Sequence, residues 1–322
     1  MGQTKKTLTI LVPAYNVSEF IEYGLDELTK DNSLLSQLEI LVVNDGSTDD
    51  TKIKVDRYCK QYPESVLIID KVNAGHGSTI NVGLKRAKGA FFKVMDGDDW
   101  LDWKGLKGLV CFINEVQETP DIIINPYEKI WDYGKKKRVT FDGITTGKMV
   151  GFAELNENKY TLALPAITFK TAILQDKKIP LIDERCSYDD MEYTLYPVPF
   201  ISKMVFLREV VYKYRQGVSG QSMNPSQMRK RVTMHSFIID RLIEYYETNK
   251  TLFDTEQERY YLQELIDTIG TNFRIRSRNG MNRNQIQSFF KKYERYPLEK
   301  TRSKRFKIAS INPFLGYIAN RL

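Results

Sequence analysis

Asp96, Asp98 and Asp99, interrupted only by Gly97, place three carboxylates at the end of an apolar run, Ala90 to Met95, that reads as a buried strand. Carboxylates carried out of the core at a strand end lie where α/β proteins bind ligands. Two of them one residue apart can share a hard divalent cation with a diphosphate. Alone, Asp-x-Asp is better read as an acidic turn, since Asp and Gly are both turn residues. The upstream chain reverses that weighting. Pro13, Ala14, Tyr15 and Asn16 follow one apolar run, and Asn44, Asp45, Gly46 and Ser47 follow another. Asp45 in such a position can accept hydrogen bonds from a nucleobase or a ribose. Asn73, Ala74, Gly75, His76, Gly77 and Ser78 then precede a helical pattern, whose free N–H groups and dipole attract anions. Together these clusters describe a nucleotide pocket with a metal site beside it.

The elements that must hold these clusters alternate. Leu8 to Val12 is a strand stopped by Pro13, Leu38 to Val43 a second, Val66 to Ile69 a third, and Ala90 to Met95 a fourth. Between them lie helical patterns: Ser18, as a cap, to about Leu28; Thr48 to Tyr58; and Gly77 to Lys88, closed by Gly89 at C′. This order predicts an α/β fold with a mostly parallel, doubly wound sheet and helices on both faces. From about Pro120 short strand-like pieces (121–125, 138–141, 162–169, 204–207 and 210–214) alternate with polar turns and complete the same domain. After Asn224-Pro225 two helical stripes appear, Met228, Val232, His235, Ile239, Leu242 and Tyr246, then Leu262, Leu265, Ile266, Ile269 and Phe273, and both read as core-facing seams. The expected division is a domain at 1–220 and a helical C-terminal region at 221–322.

Composition excludes several classes. Apolar (42%) and charged (28%) fractions are those of a globular chain, and the longest apolar runs, such as Leu162 to Phe169, are far too short to cross a bilayer. Thr7 to Val12 is too short for a signal peptide. Three scattered cysteines predict a reducing cytoplasm and no disulfide or zinc framework, and two histidines exclude a histidine-rich metal site. The net charge of +7 gathers at Lys300, Arg302, Lys304, Arg305 and Lys307 and at 135–138. Ordinarily such clusters are solvated surface; a basic tail also suits anionic lipid or a polyanionic substrate. No nucleic-acid-binding module accompanies the charge, so nucleic acid is not an expected partner.

The set Ile10 to Asn16, Val43 to Asp49, Asn73 to Ser78 and Asp96 to Asp99 resembles, in order and spacing, family 2 glycosyltransferases. The match is close over about residues 7–104 and looser to about 220. The resemblance implies a GT-A (Rossmann-like) fold, a nucleotide-sugar donor, a divalent metal (Mn²⁺ or Mg²⁺) and transfer with inversion. Carried over by position, Pro13, Ala14, Tyr15, Asn16, Asp45 and Gly46 hold the nucleoside. Asn73, Gly75, His76, Gly77, Ser78 and Asn81 line the donor site, Asp96 and Gly97 contact ribose or metal, and Asp98 ligates the metal. Asp99 and Trp100 pack or orient the site. Ser187 to Tyr193 looks like the family's Glu-Asp element with Asp189 in place of Glu, which makes Asp190 the base and Asp189 its neighbour. The Arg that many relatives carry before the helix asparagine is Ile80 here; His76 could substitute for it in part, though a turn histidine is more often a polar surface group. The Gln-x-x-Arg-Trp element of processive synthases is absent, so addition of a single sugar is expected. Tyr212 to Asn224, with Arg215 and Ser219, resembles the loop that closes over the donor diphosphate, though a plain linker fits nearly as well.

The expectation is therefore a cytoplasmic, metal-dependent, inverting glycosyltransferase. It would move one hexose or N-acetylhexosamine, from UDP by preference, to a hydroxyl of a glycan, lipid-linked or glycoprotein acceptor. Pro313 to Leu322 forms an apolar stripe after the basic cluster. That stripe docks on its own domain or a second subunit, or lies at the inner face of the membrane. The alternatives weighed are a catalytically silent glycan-binding or scaffolding relative and a sugar-1-phosphate nucleotidyltransferase. The latter would want Arg and Lys in a Gly-rich loop after the first strand, and Pro13 to Asn16 offers neither.

Overall fold

The structure, a computed structural model, describes residues 6–217 and 225–312, without the side chains of 225–227. The chain divides into two compact units, 1–218 and 219–322.

In the first unit the described strands are β1 (Leu8–Ala14), β2 (Leu38–Asn44), β3 (Val66–Asp70), β4 (Phe91–Val94), β5 (Trp100–Leu101), β6 (Ile122–Ile124), β7 (Tyr127–Trp131), β8 (Lys136–Val139), β9 (Met149–Val150), β10 (Ile167–Lys170), β11 (Met204–Phe206) and β12 (Tyr212–Gln216). Eight form one sheet in the order β3-β2-β1-β4-β10-β6-β11-β9. The pairs β3/β2, β2/β1 and β1/β4 are parallel, as the alternating strand and helix patterns predict. β10 enters antiparallel to both β4 and β6. Every residue of β1 and β2 is buried, which requires cover on both faces of the sheet and explains why these runs are continuously apolar rather than alternating. Register pairs Ala14 with Asn44, so the chain leaves β1 and β2 side by side. β4 buries one charge-bearing side chain: Lys93 donates to the carbonyls of Pro165 (2.9 Å) and Ile167 (3.0 Å), and burial lowers its pKa to about 7.

A second sheet, β5-β12-β7-β8, sets β12 antiparallel to β5, directly after the acidic turn. This long-range pairing proves decisive for the site.

Two local expectations are corrected. Ser18 does not cap the first helix, which begins at Ile21 behind Phe20 with no side-chain cap; the Ser18 amide instead donates to Asp49. The helix His76–Arg86 ends at Ala87, which turns to extended geometry (ψ 129°), so Gly89 is not its C′ residue. Gly89 serves close packing: a Cβ there would lie 2.3 Å from the Thr9 amide nitrogen.

The second unit is helical: Pro225–Lys230, Val232–Asn249, Thr255–Arg278, Arg283–Lys292 and Lys304–Ile311. His235, Ile239, Leu242, Tyr246, Leu265, Ile266, Ile269 and Phe273 are buried, the seam that the stripes predict. Asp254 and Gln257 form a capping box at the start of the longest helix. No described helix is long and apolar enough to cross a membrane. The Pro313–Leu322 stripe lies outside the described residues.

Candidate functional site

The loops after β1, β2 and β3 lock together. Asn16 adopts φ 52°, a conformation asparagine tolerates better than most residues. Its side-chain Oδ1 accepts the Thr48 amide (2.8 Å), and its main-chain amide donates to Ser47 Oγ (3.0 Å). Asp45, expected to hold the nucleoside, is 3% exposed and spends its carboxylate on the neighbouring loop. Oδ1 accepts from Lys71 Nζ and the Ala74 amide, and Oδ2 from the Gly75 amide. Its main-chain oxygen accepts from Asn73 Nδ2, and Gly46 (φ 72°) makes the turn that follows. Tyr15, by contrast, is 52% exposed, a large ring open to a ligand.

Gly75 (φ 94°) is the N-cap residue of the helix His76–Arg86. The buried Ser78 hydroxyl donates to the Gly75 carbonyl and accepts from Lys71. His76 is half-buried and held between two carboxylates. Its Nδ1 lies 2.9 Å from Asp189 Oδ2 and its Nε2 3.1 Å from Asp96 Oδ1. Burial opposes charge on the ring, but Asp189 and then Asp96 outweigh it and hold the pKa well above the ordinary value. The imidazolium can then donate from both nitrogens. One side chain thus spans the acidic turn and the residue beside Asp190.

Glycine makes this approach possible. A Cβ on Gly77 would sit 2.5 Å from the Asp183 carbonyl and 3.1 Å from Asp189 Oδ2. The approaching segment is strained, with Arg185 (φ 54°) and Tyr188 (φ 75°) in the left-handed region, the kind of outlier that clusters at functional sites. Asn81, expected at the donor, is turned to this segment instead: its amide clamps Ile182, donating to the carbonyl (2.9 Å) and accepting the N–H (3.0 Å). Glu192, fully buried, accepts the Asp183 amide and the Tyr196 hydroxyl. Burial lifts its pKa to about 7. Asp190 begins the helix Asp190–Leu195. Although its surface is open to solvent, desolvation in this packed corner and then the charge of Asp189 push its pKa up to about 6.

The acidic turn is braced on one side by β1 and on the other by β12. A Cβ on Gly97 would lie 2.7 Å from the Pro13 carbonyl, so only glycine fits between the two loops. Asp99 is 1% exposed and accepts from the Tyr212 hydroxyl and the Arg215 amide, both at 2.7 Å. Burial, then the charges of Asp96 and Asp98, raise its pKa well above the carboxylate range. The Arg215 guanidinium lies 5.0 Å from the ring centroids of both Phe20 and Trp100, and its Nε donates to the Asp98 carbonyl (2.9 Å).

The expected residues therefore meet through one chain of contacts, with Asn81 directed elsewhere. No group of three or more His, Cys, Asp or Glu among the described residues can hold a metal alone. Asp99 is committed to the fold, which leaves Asp96 and Asp98. Two hard carboxylates suit Mg²⁺ or Mn²⁺, which complete their shell with phosphate oxygens and water rather than a protein cage. Lys71, Glu192 and Tyr212 were missed. Glu192 stood inside the Asp-Asp-Met-Glu segment, and Lys71 directly follows a strand; Tyr212 opened the segment likened to a donor-closing loop, but residues Tyr212–Gln216 are strand β12 and not a loop.

Residues 9–177 match the sequence profile of glycosyl transferase family 2. Over 216 residues the chain is 26% identical to the poly(ribitol-phosphate) beta-N-acetylglucosaminyltransferase TarS of Staphylococcus aureus, covering 67% of this chain and 36% of that protein. It is 36% identical over 100 residues to an uncharacterized glycosyltransferase of Mycoplasma pneumoniae, covering 30% of this chain and 33% of that one. The chain thus spans about a third of the length of these curated relatives. Among solved structures, residues 1–349 of S. aureus TarS in complex with UDP-GlcNAc align at TM-score 0.66 and 20% identity over 98% of this chain and 89% of that one. A mannosyltransferase of Pyrobaculum calidifontis in complex with GDP-Man and Mn²⁺ aligns at TM-score 0.53 and 14% identity over 99% and 86%. The GT-A fold expected from the sequence is borne out.

Proposed function

This chain belongs to glycosyl transferase family 2, and on that premise we propose that it moves one sugar, an N-acetylhexosamine by preference, from a UDP-sugar to a hydroxyl of a cell-surface polymer, with inversion at the anomeric carbon. One observation carries the reading: His76 bonds both Asp96 and Asp189, so the acidic turn and the start of the Asp190 helix lie side by side.

Each residue then has a defined task. The exposed ring of Tyr15 stacks on the base, while Asp45 holds the loop that presents the N-terminal amides of the His76–Arg86 helix toward the diphosphate. Asp96 and Asp98 would hold Mn²⁺ or Mg²⁺. Such an ion, when bound, supplies Lewis acidity that stabilises the charge developing on the leaving nucleoside diphosphate. Asp190 takes the proton of the acceptor hydroxyl as its oxygen attacks the anomeric carbon and the bond to the diphosphate breaks. A pKa of about 6 leaves it ionised at neutral pH and still basic enough for the transfer. His76, charged, balances Asp96 and Asp189 and keeps the helix start in place.

The sugar and acceptor classes take their support from the poly(ribitol-phosphate) N-acetylglucosaminyltransferase among the relatives and from the chain's net charge of +7, which suits a polyanionic acceptor. We assign acceptor selection to the helical C-terminal unit. Release of UDP from UDP-GlcNAc, compared with UDP-glucose, UDP-galactose and GDP-mannose, with Mn²⁺ and without, tests the reading with no acceptor in hand. Slow, metal-dependent release from UDP-GlcNAc above the other donors is expected. No release from any donor, together with UDP affinity indifferent to Mn²⁺, would overturn it.

A further inference from the structure

We propose that Tyr212 is a positioning residue for the donor site: its hydroxyl fixes the turn that carries Asp96 and Asp98 and keeps Asp99 out of the metal's ligand set. The inference rests on the reading above that this turn meets the donor diphosphate.

The hydroxyl is used in both directions. It accepts the Asp96 amide at 3.0 Å and donates to Asp99 Oδ2 at 2.7 Å. An amide can only donate, so the phenolic proton is committed to Asp99. The other Asp99 oxygen takes the Arg215 amide, three residues further along β12. Arg215 Nε reaches back to the Asp98 carbonyl. β12 thus holds the turn at residues 96, 98 and 99, while the sheet pairing of Tyr212 with Leu101 fixes β12 itself. Tyr212 has no exposed surface, and the Lys93 ammonium lies 5.5 Å from its ring centroid. Water cannot replace the hydroxyl without a rearrangement. Removing it strands the Asp96 amide and takes a donor from a buried carboxylate that already stands beside two others, and the turn must shift to relieve both.

The decisive variant is Tyr212→Phe, which keeps the ring and deletes one oxygen. UDP binding to wild type and variant is measured by isothermal titration with and without Mn²⁺, alongside thermal unfolding. The gain in UDP affinity conferred by Mn²⁺ is expected to fall about tenfold in the variant. Affinity without metal should stay within about twofold, because the Pro13–Asn16 and Asp45 loops are untouched. A merely structural role would weaken both affinities alike, and that result, or a variant that retains the full Mn²⁺ gain, overturns the inference. Wild type showing no Mn²⁺ gain sinks the functional reading and the inference together. If Tyr212→Phe does not fold, Asp99→Asn carries the same comparison from the other end of the bond.

Discussion

At the donor edge of the N-terminal unit, Asp45, Asp99 and Glu192 are buried carboxylates, and each takes a main-chain amide and a side-chain donor. Asp45 and Asp99 tie together stretches far apart in sequence; Glu192 ties its helix to the segment beside Gly77. The C-terminal unit also buries one carboxylate, Glu264, in an ion pair with Arg302, but beside it stands a buried titratable group of another kind. His235 lies in the seam between Val232–Asn249 and Thr255–Arg278, with Nδ1 3.2 Å from Asn272 Nδ2, and burial followed by the charges of Arg276 and Arg274 lowers its pKa to about 4. Buried carboxylates in the first unit tie its loops together along one edge, at the cost of crowding like charges. The buried imidazole of the second is kept neutral and packs two helices. The difference teaches where chemistry belongs: the first unit gathers several buried carboxylates along one edge, whereas the second holds its buried carboxylate in an ion pair and keeps its buried imidazole neutral.

Asp190→Asn should break the first unit's side of this contrast most severely. Turnover is expected to fall about a thousandfold, the scale of a lost general base, with UDP affinity in Mn²⁺ unchanged. Equal losses in both would make Asp190 a helix-end residue only. In wild type kcat/KM should fall about tenfold per pH unit below about 6, because a base with a raised pKa is protonated there. Asp98→Asn comes next. It should reduce Mn²⁺-dependent UDP affinity about ten- to a hundredfold, and an unchanged metal titration would remove Asp98 from the ligand set.

The second unit responds to pH through a different group and a different readout. Folded, His235 titrates near 4; unfolded, near the ordinary value of 6.5. Between those values the unfolded chain binds the extra proton, so the His235 contribution is complete above pH 6.5 and is lost as pH falls toward 4. The swing is about 3 kcal/mol. Protection of the Val232–Asn249 amides, taken relative to the slower intrinsic exchange at low pH, should therefore fall from pH 7 to pH 4.5. His235→Gln should flatten that loss of protection and leave the kcat/KM profile of Asp190 in place. A variant that flattens both would show that the two units do not divide charge as the contrast holds.

What was legible in the sequence follows the same division. Strands β1 to β4 and their order could be read because they are short-range, continuous apolar runs ended by turn residues. The acidic turn stood out by residue types the chemistry needs, while His76 and Asp190 entered through the resemblance to the family. Their mutual support could not be read. Asp45 looked like a ligand contact because nothing local announces that Ala74 and Gly75 will saturate its carboxylate, some thirty residues away. Asn81 looked like a donor residue because its partner, Ile182, lies a hundred residues on. The bracing of Asp99 by Tyr212 depends on β5 pairing with β12, a register no pattern in either segment encodes. The helical seams were readable by their period, yet nothing in the stripe distinguished His235 as a neutral packing group.

The smallest predicted effects compare two helix glycines, one in each unit. Alanine in a helix interior ordinarily stabilises by about 1 kcal/mol over glycine. At Gly77 the added Cβ would meet the Asp183 carbonyl at 2.5 Å, a main-chain atom in the strained segment that leads to Asp189. At Gly270 it would meet the ring of Phe306 at 2.6 Å, inside an aromatic cluster that includes Phe273 and Phe290. A ring can swing aside within a helical core, whereas the carbonyl cannot retreat without moving the residue that holds His76. Overpacking costs of about 1–3 kcal/mol are expected in both variants. Their readouts should differ. Gly270→Ala lowers the melting temperature and leaves donor hydrolysis unchanged, while Gly77→Ala lowers kcat as well, because the Asp190 helix shifts with its supporting segment. Identical activity in the two variants would mean that the close approach at Gly77 serves packing alone.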